Sequence, residues 1–422
     1  MPKSKTRTPF RFQPVSSGEK MYDAEAQHVL SYLERRKDEM VDLLRRFVML
    51  ESPSTDPSAQ VELLEVIAAE FERSGFESTR VPRPSSGGYL YAAPLDRRRG
   101  RPYQLLLGHC DTVWPAGTID RMPFRREDGV VRGPGAFDMK GGLVQMIFAL
   151  RAMAELGLDP DVTPVVLVNS DEEIGSRDSV HAVRRLARHA DRAFVLEPAL
   201  EPVGKLKTSR RGAGKFVIGV RGKSAHSGIE PGAGASAILE LSHVIQKLHE
   251  LNDPAEGISI NVGMIDGGSR SNVVAAEASA IVDVRVARSE DAERIVRQIR
   301  AITPVVPGTE IVVEGRFGRD PMEPTPRNRA LWKRAVRAAE VLGLQIDEGR
   351  SGGVSDANVT SRFTATLDGL GSVGDGAHAA HEYVDVGRMP ERAALLALLV
   401  LQPPLSPEEV EAIDERAAQE VE

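Results

Sequence analysis

Short apolar strands alternate with helical patterns in the first half of this chain, and this alternation limits the fold more than any other feature. The runs that read as buried strands are YQLLLGH (103–109), PVVLVNS (164–170) and RAFVLEP (192–198). The stretches with apolar residues at helical spacing are 24–50, 60–76, about 140–156 and about 178–188. Strands that are apolar on both faces and separated by helices predict an α/β fold with a mainly parallel sheet flanked by helices.

The pattern changes after about residue 212. The order becomes strand, helix, strand, strand, helix, strand over KFVIGVRG (215–222), about 234–251, ISINVGMI (258–265), ASAIVDVRVA (278–287), 290–302 and TEIVVEG (309–315). Apolar and polar residues alternate in these strands, as expected for a sheet with one face in water. We therefore expect an α+β sandwich of four strands and two helices, inserted as a second domain.

The length of 422 residues exceeds what one hydrophobic core usually supports, so two domains are expected. The predicted division has a flexible tail at 1–22, a first domain in two parts at 23–212 and 321–422, and an inserted domain at 213–320. A helical pattern at 327–342 and the apolar segments after it would return to the first sheet.

The composition argues against several classes of protein. A net charge of −7 and a pI near 5.8 argue against a nucleic-acid or membrane partner, because either would favour a basic face. A single cysteine, Cys110, rules out an intramolecular disulfide framework and a cysteine-rich zinc site. No apolar run reaches the roughly 18 residues of a membrane span. The first twenty residues lack the apolar core of a secretory signal, so a cytoplasmic protein is expected.

Three consecutive acids follow one of the predicted buried strands, in NSDEEIGS (169–176). Asp171, Glu172 and Glu173 would repel one another at the end of a core strand and would lose hydration there. Such a group requires either open water or a cation.

Other residues that bind metals or move protons also lie at predicted strand ends or in glycine-rich loops. They are His109 and Asp111 in GHCDTV, Asp138 in GPGAFDMKGG, Glu197 in LEP, and His378 and His381 in GAHAAHEYV. Each alone has an ordinary explanation, such as a strand-end histidine or an Asp that caps a helix. Together, two histidines and three or four carboxylates match a zinc-type hydrolytic site, which open α/β sheets place at the carboxyl ends of their strands.

In this order, GHCDTV, GPGAFDMKGG, SDEEIGS, LEP and GAHAAHEYV closely resemble the motifs of a known enzyme family. It is the di-zinc metallopeptidase family of clan MH, which includes glutamate carboxypeptidase, acetylornithine deacetylase, succinyl-diaminopimelate desuccinylase and aminoacylase. The resemblance covers nearly the whole chain after the tail. It implies that the first domain is catalytic, that the inserted domain is a lid or dimerisation domain of a homodimer, and that each subunit holds two zinc ions, with cobalt or manganese as possible substitutes.

The resemblance also implies the metal ligands, which would be His109, Asp138, Glu173, Glu197 and His378. Asp138 would bridge both ions. His109 and Glu197 would bind one ion, and Glu173 and His378 would bind the other.

Further roles in the first domain come from the same resemblance. Glu172 would be the general base that takes a proton from the attacking water and returns it to the leaving nitrogen. Asp111 would orient His109. The peptide bond that follows Asp138 is expected to be cis. His381 is expected to be a surface residue, whereas Asp171 has either a loop-orienting role or none.

The inserted domain contributes RGKSAHSG (221–228), GGSRSNVV (267–274) and DVR (283–285). By resemblance, His226 would reach the active site of the partner subunit and help stabilise the oxyanion. Asn272 and Arg285 would contact the substrate carboxylate or carbonyl, a task that suits the planar fork of arginine. Without the family pattern, Arg285 could equally end a strand in solvent and His226 could cap a turn.

The expected substrate is a small N-acyl amino acid or peptide. PVVLVNSDEEIGS, SRRG and GGSRSN resemble the glutamate carboxypeptidase branch, which favours release of a C-terminal amino acid, preferably glutamate-like. An N-acyl amino acid deacetylase or aminoacylase is the alternative. Two more distant alternatives are a catalytically silent metal-binding scaffold and a cysteine hydrolase using Cys110, whose side chain would point away from those of its strand neighbours.

Overall fold

The computed structural model describes residues 17–97 and 100–419. Residues 1–16 of the predicted flexible tail (1–22) lie outside the described residues. Residues 17–22 already belong to the first helix, so this helix begins earlier than the sequence pattern predicted.

The described residues form a series of helices and strands. The helices are α1 (Ser17–Arg35), α2 (Lys37–Met49), α3 (Pro57–Arg73), α4 (Thr118–Arg121), α5 (Gly141–Glu155), α6 (Val180–Ala187), α7 (Ala237–Glu250), α8 (Ser289–Arg300), α9 (Pro326–Val341), α10 (Ala357–Thr360), α11 (Arg388–Leu401) and α12 (Pro407–Gln419). The strands are β1 (Phe76–Val81), β2 (Tyr89–Pro94), β3 (Tyr103–His109), β4 (Arg125–Glu127), β5 (Val130–Arg132), β6 (Thr163–Asn169), β7 (Arg192–Val195), β8 (Leu206–Arg210), β9 (Gly212–Arg221), β10 (Ser259–Gly267), β11 (Glu277–Val286), β12 (Glu310–Arg319), β13 (Glu348–Ser351), β14 (Ala365–Leu367), β15 (Gly374–Asp375) and β16 (Tyr383–Asp385).

A six-stranded sheet forms the centre of the first domain, with the strand order β1-β2-β6-β3-β7-β14. The pairs β6–β3, β3–β7 and β7–β14 are parallel, whereas β1–β2 and β2–β6 are antiparallel. The prediction of a mainly parallel sheet is therefore confirmed. β14 comes from the last part of the chain, so that part returns to the first sheet as expected.

Helices cover both faces of this sheet, because its central strands are apolar on both sides. Leu106 of β3 packs into a core that includes residues of α5 and α11. Leu105 and Leu107 face the other way and pack with Val183 of α6 and Val359 of α10. Every residue of β6 is buried. These strands are therefore continuously apolar because helices cover both faces of the sheet, as the sequence indicated.

The inserted segment forms a separate four-stranded antiparallel sheet in the order β10-β11-β9-β12. Its core includes Phe216 and Val282 from the strands, Val244 from α7 and Ile295 from α8. Residues of β11 alternate between buried and more exposed positions, as the half-polar pattern predicted. The sheet lies between Gly212 and Arg319, and the boundaries at 213 and 320 stay a prediction.

Several features differ from the sequence pattern or were missed by it, including the short strands β4, β5, β8, β13, β15 and β16. The helical stretch at 24–50 is two helices, because the chain breaks at Arg36, where φ is −104° and ψ is 13°. β1 and β2 were missed, and the sequence of β1, FESTRV, is too polar to show the apolar run of a core strand.

Within residues 17–97 and 100–419, no helix has the length and apolarity needed to cross a membrane.

Candidate active site

The carboxyl ends of three neighbouring parallel strands bring most of the predicted site residues to one edge of the sheet. His109 is the last residue of β3, and Glu197 lies two residues beyond β7. The acids 171–173 follow β6, which pairs with β3 through His109 and Asn169. Parallel neighbours end at the same edge, so residues far apart in sequence meet there.

Asp138 lies at the centre of this cluster, and its two carboxylate oxygens face different histidines. Oδ1 is 3.4 Å from Nε2 of His109, and Oδ2 is 3.4 Å from Nε2 of His378. The His109 Nε2 atom is also 3.6 Å from Oε1 of Glu197. The His378 Nε2 atom is 3.1 Å from Oε2 of Glu173. All five predicted ligands are therefore brought together in two groups that share Asp138.

Glu172 belongs to the same cluster. It groups with His109 and Glu197, with one potential ligand atom of each within 4.8 Å of the others. His109, Asp138 and Glu173 form a second group under the same limit. Glu172 is therefore close enough to act on a molecule held at this cluster.

Asp111 contacts His109, as the prediction that it orients this imidazole requires. Nδ1 of His109 lies 3.0 Å from the Asp111 carbonyl oxygen and 3.4 Å from Oδ1 of its carboxylate. The same carboxylate accepts hydrogen bonds from the Ser54 hydroxyl at 2.8 Å and from the backbone N–H groups of Glu172 and Glu173, both at 3.2 Å. Asp111 thus ties the end of β3 to the acidic loop after β6.

The acids share a buried environment that opposes their ionisation. Burial, followed by the charge of Asp138, raises the pKa of Glu197 to about 7. Burial and the charge of Glu197 raise the pKa of Glu172 well above its usual range. Burial also raises the pKa of Glu173, against a hydrogen bond from His378 that lowers it.

The histidines and Asp138 compensate one another. Burial alone would raise the pKa of Asp138, but the imidazoles of His109 and His378, each 3.4 Å from one of its oxygens, hold this pKa below its usual range. Hydrogen bonds to Asp138 and Glu173 raise the pKa of His378 to about 10. Two imidazoles cannot balance the charge of four clustered carboxylates, so the cluster favours a further cation.

The donor set fits divalent metal ions. Oδ1 of Asp138 and Oε1 of Glu173 are buried and have no hydrogen-bond partner among the described residues, although such oxygens are normally paired. Two ligand atoms about 2.1 Å from one tetrahedral zinc ion lie about 3.4 Å apart. The contacts of 3.1 to 3.6 Å among the five predicted ligands are of this size.

A carboxylate that the sequence reading left without a role connects the loops around this centre. Glu382 is fully buried and accepts hydrogen bonds from the backbone N–H groups of Gly135, Phe137 and Asp138 and from the indole of Trp114. Burial raises its pKa to about 7, while the backbone N–H donors favour the charged form. Its spacing from His378 was visible in the sequence, but its partners lie about 245 and 268 residues away in the chain.

A second missed residue, Arg210, pairs with one of the predicted ligands. Its Nη2 atom is 3.3 Å from Oε2 of Glu197, and its Nε atom donates to the buried carboxylate of Asp368. SRRG was noted only as a family-like motif, because the sequence does not show which acid the arginine meets.

The remaining open questions of the first domain have structural answers. Asp171 is buried and accepts hydrogen bonds from the N–H groups of Asp178 and Ser179, so it orders the acidic loop rather than being solvated. His381 is exposed, as expected. The expected cis peptide bond lies between Asp138 and Met139. Cys110 is fully buried, and burial raises the pKa of its thiol, which disfavours the nucleophilic thiolate.

The predicted residues of the inserted domain are not brought to the acid cluster by any contact among the described residues. His226 and Asn272 lie in adjacent segments, since His226 pairs with Val273 and the N–H of Ser227 donates to the Asn272 carbonyl. His226 is exposed, and its Nδ1 accepts a hydrogen bond from the Gly228 N–H.

Arg285 lies at the opposite end of the inserted sheet from His226. β11 pairs Glu277 with Arg221 and Arg285 with Ala213, so eight residues separate the two ends. That length corresponds to about 27 Å of extended chain. The guanidinium of Arg285 donates to both carboxylate oxygens of Asp283 on its own strand.

Comparison with known proteins identifies similar sequences and structures. The sequence profile of "Peptidase family M20/M25/M40" matches residues 105–402. Carboxypeptidase G2 of Pseudomonas sp. strain RS-16 is 28% identical over 370 residues, which cover 86% of this chain and 88% of that protein. Succinyl-diaminopimelate desuccinylase of Gluconacetobacter diazotrophicus is 29% identical over 368 residues, or 83% of this chain and 92% of that protein.

Solved structures show the same fold. Aminopeptidase PepT of Bacillus cereus aligns with a TM-score of 0.72 at 23% identity, over 89% of this chain and 99% of its own. A dinuclear metal-binding peptidase of Bacillus subtilis aligns with a TM-score of 0.65 at 15% identity, over 87% of this chain and 98% of its own. At these identities, the likeness supports the two-domain α/β architecture and nothing finer.

Proposed function

The chain belongs to peptidase family M20/M25/M40 and is a metallo-hydrolase, and from this premise we propose that it cleaves an amide bond with two zinc ions. The proposed reaction releases a C-terminal amino acid, preferably glutamate-like, from an N-acyl or peptide substrate. Carboxypeptidase G2, which aligns along most of the chain, supports the carboxypeptidase form of this proposal.

The observation that carries the proposal is the division of the Asp138 carboxylate between two groups. Oδ1 faces His109 and Oδ2 faces His378, each at 3.4 Å, and each histidine has one further acid beside it. A bridging ligand between two metal sites requires this arrangement. We assign Asp138, His109 and Glu197 to one ion, and Asp138, His378 and Glu173 to the other.

Two ions bound there would polarise the scissile carbonyl and lower the pKa of the attacking water. The residues of the chain would then move the proton. The carboxylate of Glu172 would accept it from the water and return it to the leaving nitrogen, and burial together with the charge of Glu197 raises the pKa of Glu172 well above its usual range, which favours proton uptake. Glu173 contacts His378 instead, which is why we assign it to a metal ion.

The inserted domain would bind the substrate in the proposed enzyme. Arg285 and Asn272 would contact its carboxylate or carbonyl, and His226 would stabilise the oxyanion. Since about 27 Å of strand separate the ends that carry His226 and Arg285, we assign the two residues that serve one site to different subunits, and Asn272, which lies beside His226, would come with it. This separation supports the proposed homodimer, in which His226 acts on the partner's site. A cytoplasmic location stays a prediction from the sequence.

A second candidate function is hydrolysis of an N-acyl amino acid by a deacetylase or aminoacylase reaction. The similarity to a succinyl-diaminopimelate desuccinylase over 83% of the chain favours it. A silent metal-binding scaffold is less well supported, because a carboxylate suited to the base, Glu172, lies within 4.8 Å of His109 and Glu197.

A hydrolysis screen tests the proposal and separates the two candidates. Dipeptides and N-acyl amino acids would be assayed with zinc, cobalt or manganese, and the C-terminal residue would be varied first. We expect the rate to depend most on the C-terminal residue, with glutamate among the best. A rate that depends on the acyl group and hardly on the C-terminal residue would favour the deacetylase. No hydrolysis with any metal would contradict both.

Metal content tests the ligand assignment independently of turnover. We expect two ions per chain in the wild type and about one in His378→Ala, because this variant removes a ligand from one site only. A wild-type chain that binds one ion, or a His378→Ala variant that keeps two, would contradict the shared Asp138 bridge.

A further inference from the structure

Glu382 connects three segments that surround the candidate metal centre. We infer that Glu382 is a positioning residue that holds the Asp138 loop (residues 133–140) against the His378 loop (residues 375–382), and that Trp114 acts through it. The inference rests on the proposed assignment of Asp138 and His378 as metal ligands and adds a residue that contacts neither substrate nor metal.

The hydrogen bonds of Glu382 divide evenly between its two oxygens. Oε1 accepts from the N–H groups of Phe137 at 2.7 Å and Asp138 at 3.2 Å. Oε2 accepts from the Gly135 N–H at 3.1 Å and from Nε1 of Trp114 at 3.0 Å. One side chain therefore fixes three backbone groups of the Asp138 loop, including that of Asp138 itself.

Each connected segment carries a predicted ligand. Trp114 lies five residues after His109, and Glu382 lies four residues after His378. The His378 loop is closed on itself by hydrogen bonds from Ala379 N–H to the Gly376 carbonyl and from Glu382 N–H to the Ala379 carbonyl. A displacement of Glu382 would therefore move this loop as a unit, and His378 with it.

The position of His378 depends on this loop rather than on a strand. Its φ of 61° lies in the left-handed region, which few residues with a side chain adopt. Its side chain is 52% exposed, so packing contributes little to its orientation. The backbone between Gly376 and Glu382 must supply the order that a buried strand supplies for His109.

The four partners of Glu382 are all N–H donors, so the site requires an acceptor on both sides. A carboxylate provides it, whereas the amide of glutamine presents an NH₂ group to one pair of donors. Glu382→Gln keeps the size of the side chain and opposes donors to donors. Groups that orient metal ligands from outside typically change metal affinity by about 10- to 100-fold when they are mutated.

The test measures metal binding by the full chain, with zinc or cobalt alone as the probe. We expect Glu382→Gln to bind zinc about 10- to 100-fold more weakly than the wild type in a chelator competition. The absorption spectrum of the cobalt-loaded protein should also change, since it reports the ligand geometry at the ions. A general loss of stability would not alter that spectrum.

Trp114→Phe keeps an aromatic ring and removes only one donor. We expect a smaller loss of zinc affinity in the same direction. If Trp114 acts through Glu382, adding Trp114→Phe to Glu382→Gln should cause no further loss, because residues in one network are not additive. If Glu382→Gln does not fold, the zinc affinity of Trp114→Phe still tests the inference.

Glu240→Gln is a matched control in the inserted domain. Glu240 is fully buried, and its Oε2 accepts from the N–H groups of Val305 and Val306 and from the Thr309 hydroxyl. Its substitution likewise replaces a buried carboxylate by a neutral amide of the same size, far from the acid cluster, but leaves an oxygen for the three donors because Oε1 of Glu240 has no partner among the described residues. We expect a lower denaturation midpoint for the metal-free protein, with unchanged zinc affinity and an unchanged cobalt spectrum.

Two results would overturn the inference. One is a zinc affinity within about twofold of the wild type in a folded Glu382→Gln and in Trp114→Phe. The other is an equal loss of zinc affinity in Glu240→Gln, which would show that general destabilisation, and not the contacts of Glu382, lowers the affinity. The proposed function fails differently, because it fails when the wild type binds fewer than two ions or when His378→Ala has no effect on metal content.

Discussion

The two sheets of this protein place their polar residues in opposite ways. β3, β6 and β7 are almost entirely buried, and polar groups follow them at one edge, where the predicted ligands lie 3.1 to 3.6 Å apart. In the inserted sheet the predicted residues lie at opposite ends and form local contacts, such as that of Arg285 with Asp283. The comparison teaches that parallel strands gather distant motifs into one site, whereas antiparallel strands leave theirs spread along an exposed face.

Metal removal should produce the largest difference between the two sheets. Without cations, the scissile carbonyl is not polarised and the water is not activated, so activity should be lost completely. The carboxylates of Asp138, Glu172, Glu173 and Glu197 would also repel one another, which should loosen the segments that carry them. Hydrogen exchange should increase in residues 133–140 and 171–179 and should stay unchanged in β9 to β12. Full activity after treatment with a chelator would rule out the di-zinc mechanism. Equal loosening of both sheets would contradict the division into two regions.

The pH dependence sharpens this prediction. His378 has a pKa raised to about 10, so its stabilising contribution is full below its unfolded value near 6.5 and is lost as pH rises through about 10. Glu197 has a pKa raised to about 7, so the folded state binds more protons than the unfolded state and loses stability between pH 4.5 and 7. The increase in melting temperature on adding zinc should therefore be larger at pH 8 than at pH 6. A smaller increase at pH 8 would contradict it.

Substitutions at the adjacent acids should divide their roles. Glu172→Gln should keep two metal ions and lose about 10²- to 10⁴-fold in kcat, the usual contribution of a general base. Glu173→Gln should lose a metal ion. Metal analysis and steady-state kinetics on both variants check this prediction. Equal metal content together with equal activity in the two variants would contradict the assignment of different roles to Glu172 and Glu173.

A somewhat smaller effect is expected from the inserted sheet. His226→Ala should lower kcat by about 10²- to 10³-fold, as for the loss of one oxyanion donor, without changing metal content. If His226 acts in the partner's site, mixing this variant with Glu172→Gln should restore activity. The mixed dimer then contains one site with an intact Glu172 and an intact His226. Absence of rescue, or full activity of a wild-type monomer, would contradict the trans role.

The smallest effect should come from Arg285→Lys. Lysine keeps the charge but not the planar fork that binds a carboxylate at two points, so KM should rise by about tenfold with little change in kcat. Asp283→Asn is the matched control, because it removes the partner that now holds the guanidinium. An unchanged KM in Arg285→Lys would show that Arg285 only ends a strand in solvent.

Most of the first domain could be predicted because its signals are local. The strand at 103–109 matches β3 residue for residue, and the apolar strands and helices after it differ by only a few residues at their ends. β1 was missed because its polar residues suit an edge strand and show no apolar run. The break at Arg36 was missed because it interrupts a continuous helical pattern without proline or glycine.

The sequence by itself determined the fold class and the acids and histidines at the strand ends, because apolar periodicity and short motifs depend on residues close together in the chain. Only the tertiary structure decided which groups meet. It divided the oxygens of Asp138 between two histidines, joined Glu382 to Trp114 across 268 residues, and separated His226 from Arg285 along β11. Such contacts follow from strand order and loop closure, which bring distant segments together and which no local pattern encodes.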